Sequence, residues 1–227
     1  GRDKLYSVIA HDLRSPMGSI KMVLNMLMLN LPVEKIGGEM YELLTMANRT
    51  TEDVFSLLDN LLKWTKSQIG NLNVVYQDVD AVEVVDSVID VFNMVAGLKK
   101  ITIREEKPEK LPVCTDIDML KTIIRNLLSN AIKFSNENSE VLVKMEEQGD
   151  TVVVSVKDSG CGIDEEGQQK LLHTDTHFST FGTNNEEGSG LGLLLCQDFA
   201  VKSGGKLWFT SKKGEGSTFY FSIPLKK

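Results

Sequence analysis

The strongest constraint on this chain lies in its first 70 residues, where apolar side chains recur alternately every four and every three positions. Tyr6, Ala10, Leu13, Met17, Ile20, Leu24, Leu27 and Leu31 make one run; Met40, Leu44, Ala47, Thr51, Val54, Leu58, Leu61 and Thr65 make a second. That is the seam spacing of helices packed lengthwise on other helices. Each helix is expected to be roughly 40 Å long, at about 1.5 Å per residue. Leu31-Pro32 and Gly37-Gly38 interrupt the pattern over a short span, which predicts an antiparallel hairpin. Two helices alone cannot cover their own seams, so the hairpin is expected to dimerise into a four-helix bundle.

From about Asn71 the rhythm changes. Short β-rich runs appear at Asn73–Tyr76, Ile101–Arg104, Val141–Glu146, Thr151–Lys157, Lys206–Thr210 and Thr218–Ile223. Helical stretches over about Val82–Ala96, Asp116–Lys133 and Leu191–Lys202 separate them. Strands that follow one another as hairpins, as around Gly149-Asp150, predict a two-layer α/β sandwich with a mostly antiparallel, mixed sheet. The fold class is therefore α+β, with a helical domain over 1–70 and a second domain over 71–227.

Charge narrows the function. The 25 Lys and Arg are outnumbered by 32 Asp and Glu, and no basic stripe stands out, so nucleic-acid binding is not expected. Cys114, Cys161 and Cys196 are scattered and odd in number, which fits a reducing, cytoplasmic setting without disulfides. No apolar run approaches the roughly 20 residues of a membrane span. The chain opens on Gly1-Arg2 without Met and is expected to be a cytoplasmic fragment of a longer protein, for which an anchor in the inner membrane is one option.

On the first helix, the heptad assignment puts His11, Asp12 and Ser15 on the solvent side, just before Pro16. A proline inside a helix removes an N–H and crowds the carbonyl of Asp12, at a cost of about 3 kcal/mol. A neutral imidazole is a good nucleophile near pH 7, and a neighbouring carboxylate can orient it and take up charge. Position alone favours a plain surface histidine.

In the second domain, Asn126, Asn130 and Lys133 recur at four and three, sharing one helix face. Amide oxygens are hard ligands suited to Mg²⁺ shared with phosphates, and a lysine can meet a phosphate as a point charge. Asp158-Ser159-Gly160-Cys161-Gly162 follows a strand, so that Asp158 could accept from an adenine amino group while the glycines let backbone approach the base. Gly188-Ser189-Gly190-Leu191-Gly192-Leu193 opens a helix and offers N–H groups to an anion. It is neither a Walker A loop nor a dinucleotide fingerprint, since no Gly-Lys follows and Leu193 stands at the third glycine. His173 and His177, four apart, are read as solvated residues and not as a metal pair.

The segment Ser7-Val8-Ile9-Ala10-His11-Asp12-Leu13-Arg14-Ser15-Pro16 resembles the H-box of sensor histidine kinases. The later motifs fall in the order of that family's N, G1, F and G2 boxes, and Gly214–Phe219 resembles its last box. The resemblance covers about Lys4 to Leu225. It implies the Bergerat ATP-binding fold, Mg²⁺-ATP as substrate, His11 as phospho-acceptor and Asp12 as base. Ser15 stands where many relatives have the Thr or Asn that positions water for hydrolysis of the phosphorylated partner. Asn130, with Asn126, would hold the metal. Lys133, Gly188, Gly190, Leu191 and Gly192 would contact phosphates, and Asp158, Gly160, Gly162, Phe178 and Thr218 the nucleoside. The implied partners are a second copy of the chain and a response-regulator receiver domain. The alternatives are a degenerate dimeric scaffold or another Bergerat-fold ATPase.

Overall fold

The computed structural model describes residues 2–31, 34, 37–68, 73–172 and 191–225. The chain divides into two compact units, Gly1–Asn73 and Val74–Lys227. Among the described residues no helix is long and apolar enough to cross a membrane.

The first unit packs α1 (Arg2–Asn30) against α2 (Gly38–Gln68). Helix α1 runs through Pro16 without a break. Arg14 pairs with Asp59 at 2.7 Å and Lys21 with Glu52 at 2.7 Å. As one partner advances seven residues the other retreats seven, which makes the hairpin antiparallel. Leu58 and Leu62 are buried at its centre, with Met17, Val54 and Leu61 against them.

The seam divides between two faces. Leu44, Leu58, Thr51 and Thr65 turn inward, as do Met17 and Leu24, but Leu13, Ile20 and Leu27 stay 46%, 47% and 37% exposed. Met40 is exposed in the same way. On α1 one of the two heptad positions is thus satisfied inside the hairpin and the other leaves apolar surface outside, whereas on α2 the position of exposed Met40 turns inward farther along, at Val54 and Leu61.

The second unit opens with β1 (Gln77–Asp80) and α3 (Ala81–Leu98), continues through β2 (Thr102–Glu106), β3 (Pro112–Thr115) and α4 (Ile117–Phe134), then β4 (Glu140–Gln148), β5 (Thr151–Lys157) and α5 (Glu165–Leu172), and closes with α6 (Leu191–Lys202), β6 (Leu207–Lys212) and β7 (Gly216–Pro224). The main sheet has five strands in the order β2-β4-β5-β7-β6; β2 and β4 are parallel and the other neighbours antiparallel. Strands β1 and β3 form a separate two-stranded ribbon.

Helices α3, α4 and α6 pack side by side as the second layer. Val85, Ile89, Leu120, Ile123, Ile124, Leu127, Leu128 and Leu195 fill the space between helices and sheet, meeting Val141, Val154, Val156, Phe221 and Ile223. Each of these side chains contributes about 1.5–3 kcal/mol by leaving water.

Two helix starts are fixed by carboxylates. Asp80 Oδ1 accepts from Val82 N and Leu111 N, each at 2.9 Å, and so ties the α3 cap to the ribbon. Asp116 Oδ1 caps α4 through Asp118 N and Met119 N, both at 3.0 Å. Its other oxygen accepts from Val75 N at 2.8 Å. Asn73–Tyr76, read from sequence as a strand, is therefore held without a ladder, since Tyr76 Oη also donates to the carbonyl of Lys202 at 2.8 Å. The first strand begins one residue later, at Gln77.

Candidate nucleotide site and phospho-acceptor helix

His11, Asp12 and Ser15 lie on α1, and their side chains lie outside what the structure describes. The neighbouring motif residue Arg14 is described. Its guanidinium reaches Asp59, which Lys63 also pairs at 2.9 Å, and lies 5.7 Å from the centre of the Phe55 ring. Lys21 sits 5.0 Å from the same ring. The arginine of the motif therefore fastens its turn of α1 to α2. No role for it was evident in the sequence, because Asp59 and Phe55 lie 45 and 41 positions away.

In the second unit the glycine-bearing motifs meet at the ends of β5 and β7. Asp158 directly follows β5 and is only 4% exposed. Its Oδ1 accepts from Gly160 N at 2.9 Å and from Ser217 N at 3.2 Å, and its own N–H donates to the Ser217 carbonyl at 2.9 Å. Burial raises the carboxyl pKa above the usual Asp value, and the N–H bonds from Gly160 and Ser217 only partly offset this. Both of these backbone N–H bonds fall on the same carboxylate oxygen, Oδ1.

The spacing of these turns explains why they are glycines. At Gly160 a β-carbon would fall 2.0 Å from the carbonyl oxygen of Phe134, where Ser135 and Gly160 form an isolated bridge. Gly216, at φ +97, would set one 2.2 Å from the carbonyl oxygen of Asp158. Gly162 approaches the Lys212 carbonyl as closely. The end of α4, the turn after β5 and the start of β7 therefore press backbone on backbone. Thr218 is half-buried beside Ser217 and pairs with Lys157 and Thr210 across the sheet.

Asn126, Asn130 and Lys133 are all half-buried on α4. Asn126 Nδ2 donates to the Thr122 carbonyl at 2.9 Å. Lys133 Nζ lies 5.3 Å from the Phe134 ring centre, and the Lys133 carbonyl accepts from Lys99 Nζ at 2.8 Å. Lys99 is buried and also donates to the Ile132 carbonyl at 3.1 Å, closing the C-terminal end of α4. Sequence patterning gave no sign of this lysine, because a buried ammonium bonded to backbone carbonyls leaves no periodic trace.

Leu191 is buried in the first turn of α6, and Gly192 follows it against Asn126. Phe178, Gly188 and Gly190 lie outside the described residues. Among the described residues no three His, Cys, Asp or Glu side chains cluster as a metal cage. A cation here would draw on amide oxygens and on phosphates, which suits Mg²⁺. Cys196 is fully buried, and burial pushes its thiol pKa up, so it is inert packing.

Residues 115–227 match the family of histidine kinase-, DNA gyrase B- and HSP90-like ATPases. Over 229 residues the chain is 29% identical to the adaptive-response sensory kinase SasA of Crocosphaera subtropica, covering 99% of this chain and 59% of that protein. Along its whole length the chain is similar to sensor histidine kinases. Its fold superposes on that of full-length ShkA, solved in complex with AMPPNP, with TM-score 0.69 at 21% identity, over 99% of this chain and 46% of that one. The catalytic domain of the histidine kinase ThkA, nucleotide-free, matches at TM-score 0.59 and 29% identity, over 67% of this chain and 99% of that one. The chain thus spans a little over half the length of the SasA relative, and the ATPase family match lies in its C-terminal unit.

Proposed function

We propose that this core phosphorylates itself on His11 from Mg²⁺-ATP and passes the phosphoryl group to an aspartate of a response-regulator receiver domain. The observation that carries the reading is the meeting of the nucleotide motifs. A buried Asp158 with one oxygen committed to backbone N–H groups, the Asn126–Asn130–Lys133 face and the start of α6 all belong to one unit. Asp158 binds the adenine amino group, with Gly160, Gly162, Phe178 and Thr218 around the nucleoside. Lys133, Gly188, Gly190, Leu191 and Gly192 hold the phosphates.

Asn130 and Asn126 are the ligands offered to Mg²⁺, which when bound neutralises charge on the β- and γ-phosphates. A ring nitrogen of His11 attacks the γ-phosphorus, the bond to the β,γ-bridging oxygen breaks, and ADP leaves with that oxygen's electron pair. Asp12 takes the proton from the other ring nitrogen. Such transfer needs positioning and charge neutralisation more than covalent help. Ser15 lies one turn on and would face water during hydrolysis of the phosphorylated partner. The exposed Leu13, Ile20 and Leu27 support assembly of two hairpins into a four-helix bundle.

Incubation with γ-labelled ATP and Mg²⁺, followed by acid and base treatment, tests the reading. The expected label is acid-labile and base-stable, and absent from His11→Gln, which still binds ATP. Label retained by His11→Gln refutes the acceptor assignment, and steady phosphate release without label refutes the kinase reading.

A further inference from the structure

Gly192 is the second residue of α6 and packs on α4. A β-carbon there would find Asn126 Oδ1 at 2.6 Å, its amide carbon at 3.4 Å and its β-carbon at 3.8 Å, so all three nearest atoms belong to one side chain. The amide is oriented by its own helix, since Nδ2 donates to the Thr122 carbonyl at 2.9 Å. With the nitrogen held on α4, the oxygen is the end turned toward α6. We infer that Gly192 is a positioning residue: the space left by its missing side chain is what Asn126 Oδ1 occupies, and the seating of α6 thereby sets the amide oxygen offered to the metal. The inference rests on the proposed role of Asn126 as a Mg²⁺ ligand.

The physical distinction from the other close glycines is the identity of the obstacle. At Gly160 a β-carbon would strike the Phe134 carbonyl at 2.0 Å, and backbone would have to move. At Gly192 the obstacle is the end of a side chain, which can rotate away while both helices stay in place. Gly192→Ala should therefore displace the metal ligand without displacing the fold. Loss of a group that orients a metal ligand typically lowers metal affinity about 10- to 100-fold.

The test measures ATP affinity of the whole chain by calorimetry, with and without Mg²⁺, for the wild type, Gly192→Ala, Asn126→Ala and the double variant. Gly192→Ala is expected to weaken Mg²⁺-ATP binding about tenfold or more. Metal-free ATP binding should fall by a clearly smaller factor, since Gly192 also lies at the phosphates, and the double variant should match Asn126→Ala alone, because coupled sites are not additive. An equal loss without metal, or losses that multiply in the double variant, overturns the positioning role and leaves the kinase reading standing. Unchanged Mg²⁺-ATP affinity in Asn126→Ala alone overturns the metal role and the inference with it. If Gly192→Ala also lowers Tm, the double variant should recover it, because the colliding amide is gone. Failure to recover would place the collision elsewhere and refute the inference.

Discussion

Asp158→Asn separates what this residue does for the fold from what it does for the ligand. In the folded chain Oδ1 accepts from Gly160 N and Ser217 N, both buried. An asparagine can keep both bonds only by leaving its oxygen there, which puts the amide NH₂ where the second carboxylate oxygen was. That group would face the adenine amino group, donor against donor. A hydrogen bond to a charged acceptor contributes about 1.5–3 kcal/mol, so ATP affinity should fall about 10- to 150-fold. Binding of GTP, which has an acceptor at that ring position, should fall less or rise.

The stability effect has the opposite sign. The folded-state pKa of Asp158 is raised above its unfolded value, so the folded chain holds this proton to higher pH than the unfolded chain does. Stability then declines as pH rises from the ordinary carboxylate pKa through the raised one, and the penalty persists above it. Asn removes the charge and keeps the acceptor, so Tm at pH 7 should equal or exceed that of the wild type. The difference should shrink as pH is lowered toward the ordinary carboxylate range. Titration of ATP and GTP with thermal melts over pH checks both halves. Unchanged ATP affinity, or a Tm well below wild type at pH 7, would refute the assignment of Oδ1 to the backbone and the other oxygen to the base.

Lys99→Met removes the donors to the Ile132 and Lys133 carbonyls and leaves buried acceptors unpaired; a loss of about 1–3 kcal/mol in chemical denaturation is expected, and none would show the contacts to be incidental. Ile20→Asp places a charge on the apolar face left outside the hairpin and should convert dimer to monomer in light scattering, while helix content is retained or falls only with dissociation; a dimer that persists would locate the interface elsewhere.

Where local pattern and tertiary demand agree, the sequence was enough. Helix α6 begins and ends where its glycines and apolar run said, at Leu191 and Lys202, and β5 likewise at Thr151 and Lys157. Helix α5 escaped notice because Glu165–Leu172 is short and polar, and β3 because Pro112 heads a strand of four residues. Asn73–Tyr76 has strand composition, but the Asp116 carboxylate and the Lys202 carbonyl take its hydrogen bonds. In the hairpin the seam was legible, but Leu62, off that seam, is among its most buried residues.

The sequence by itself determined most of the element types and the two-part organisation, and singled out the candidate nucleotide residues, because periodicity and motif spacing are local properties of the chain. Only the tertiary structure decided which carboxylate oxygen of Asp158 is committed to backbone, which half of the α1 seam is left outside, that Arg14 is fastened by Asp59, and that Gly192 packs against Asn126. Each of these is a contact between segments far apart in sequence, and such distances are set by packing, which no single segment encodes.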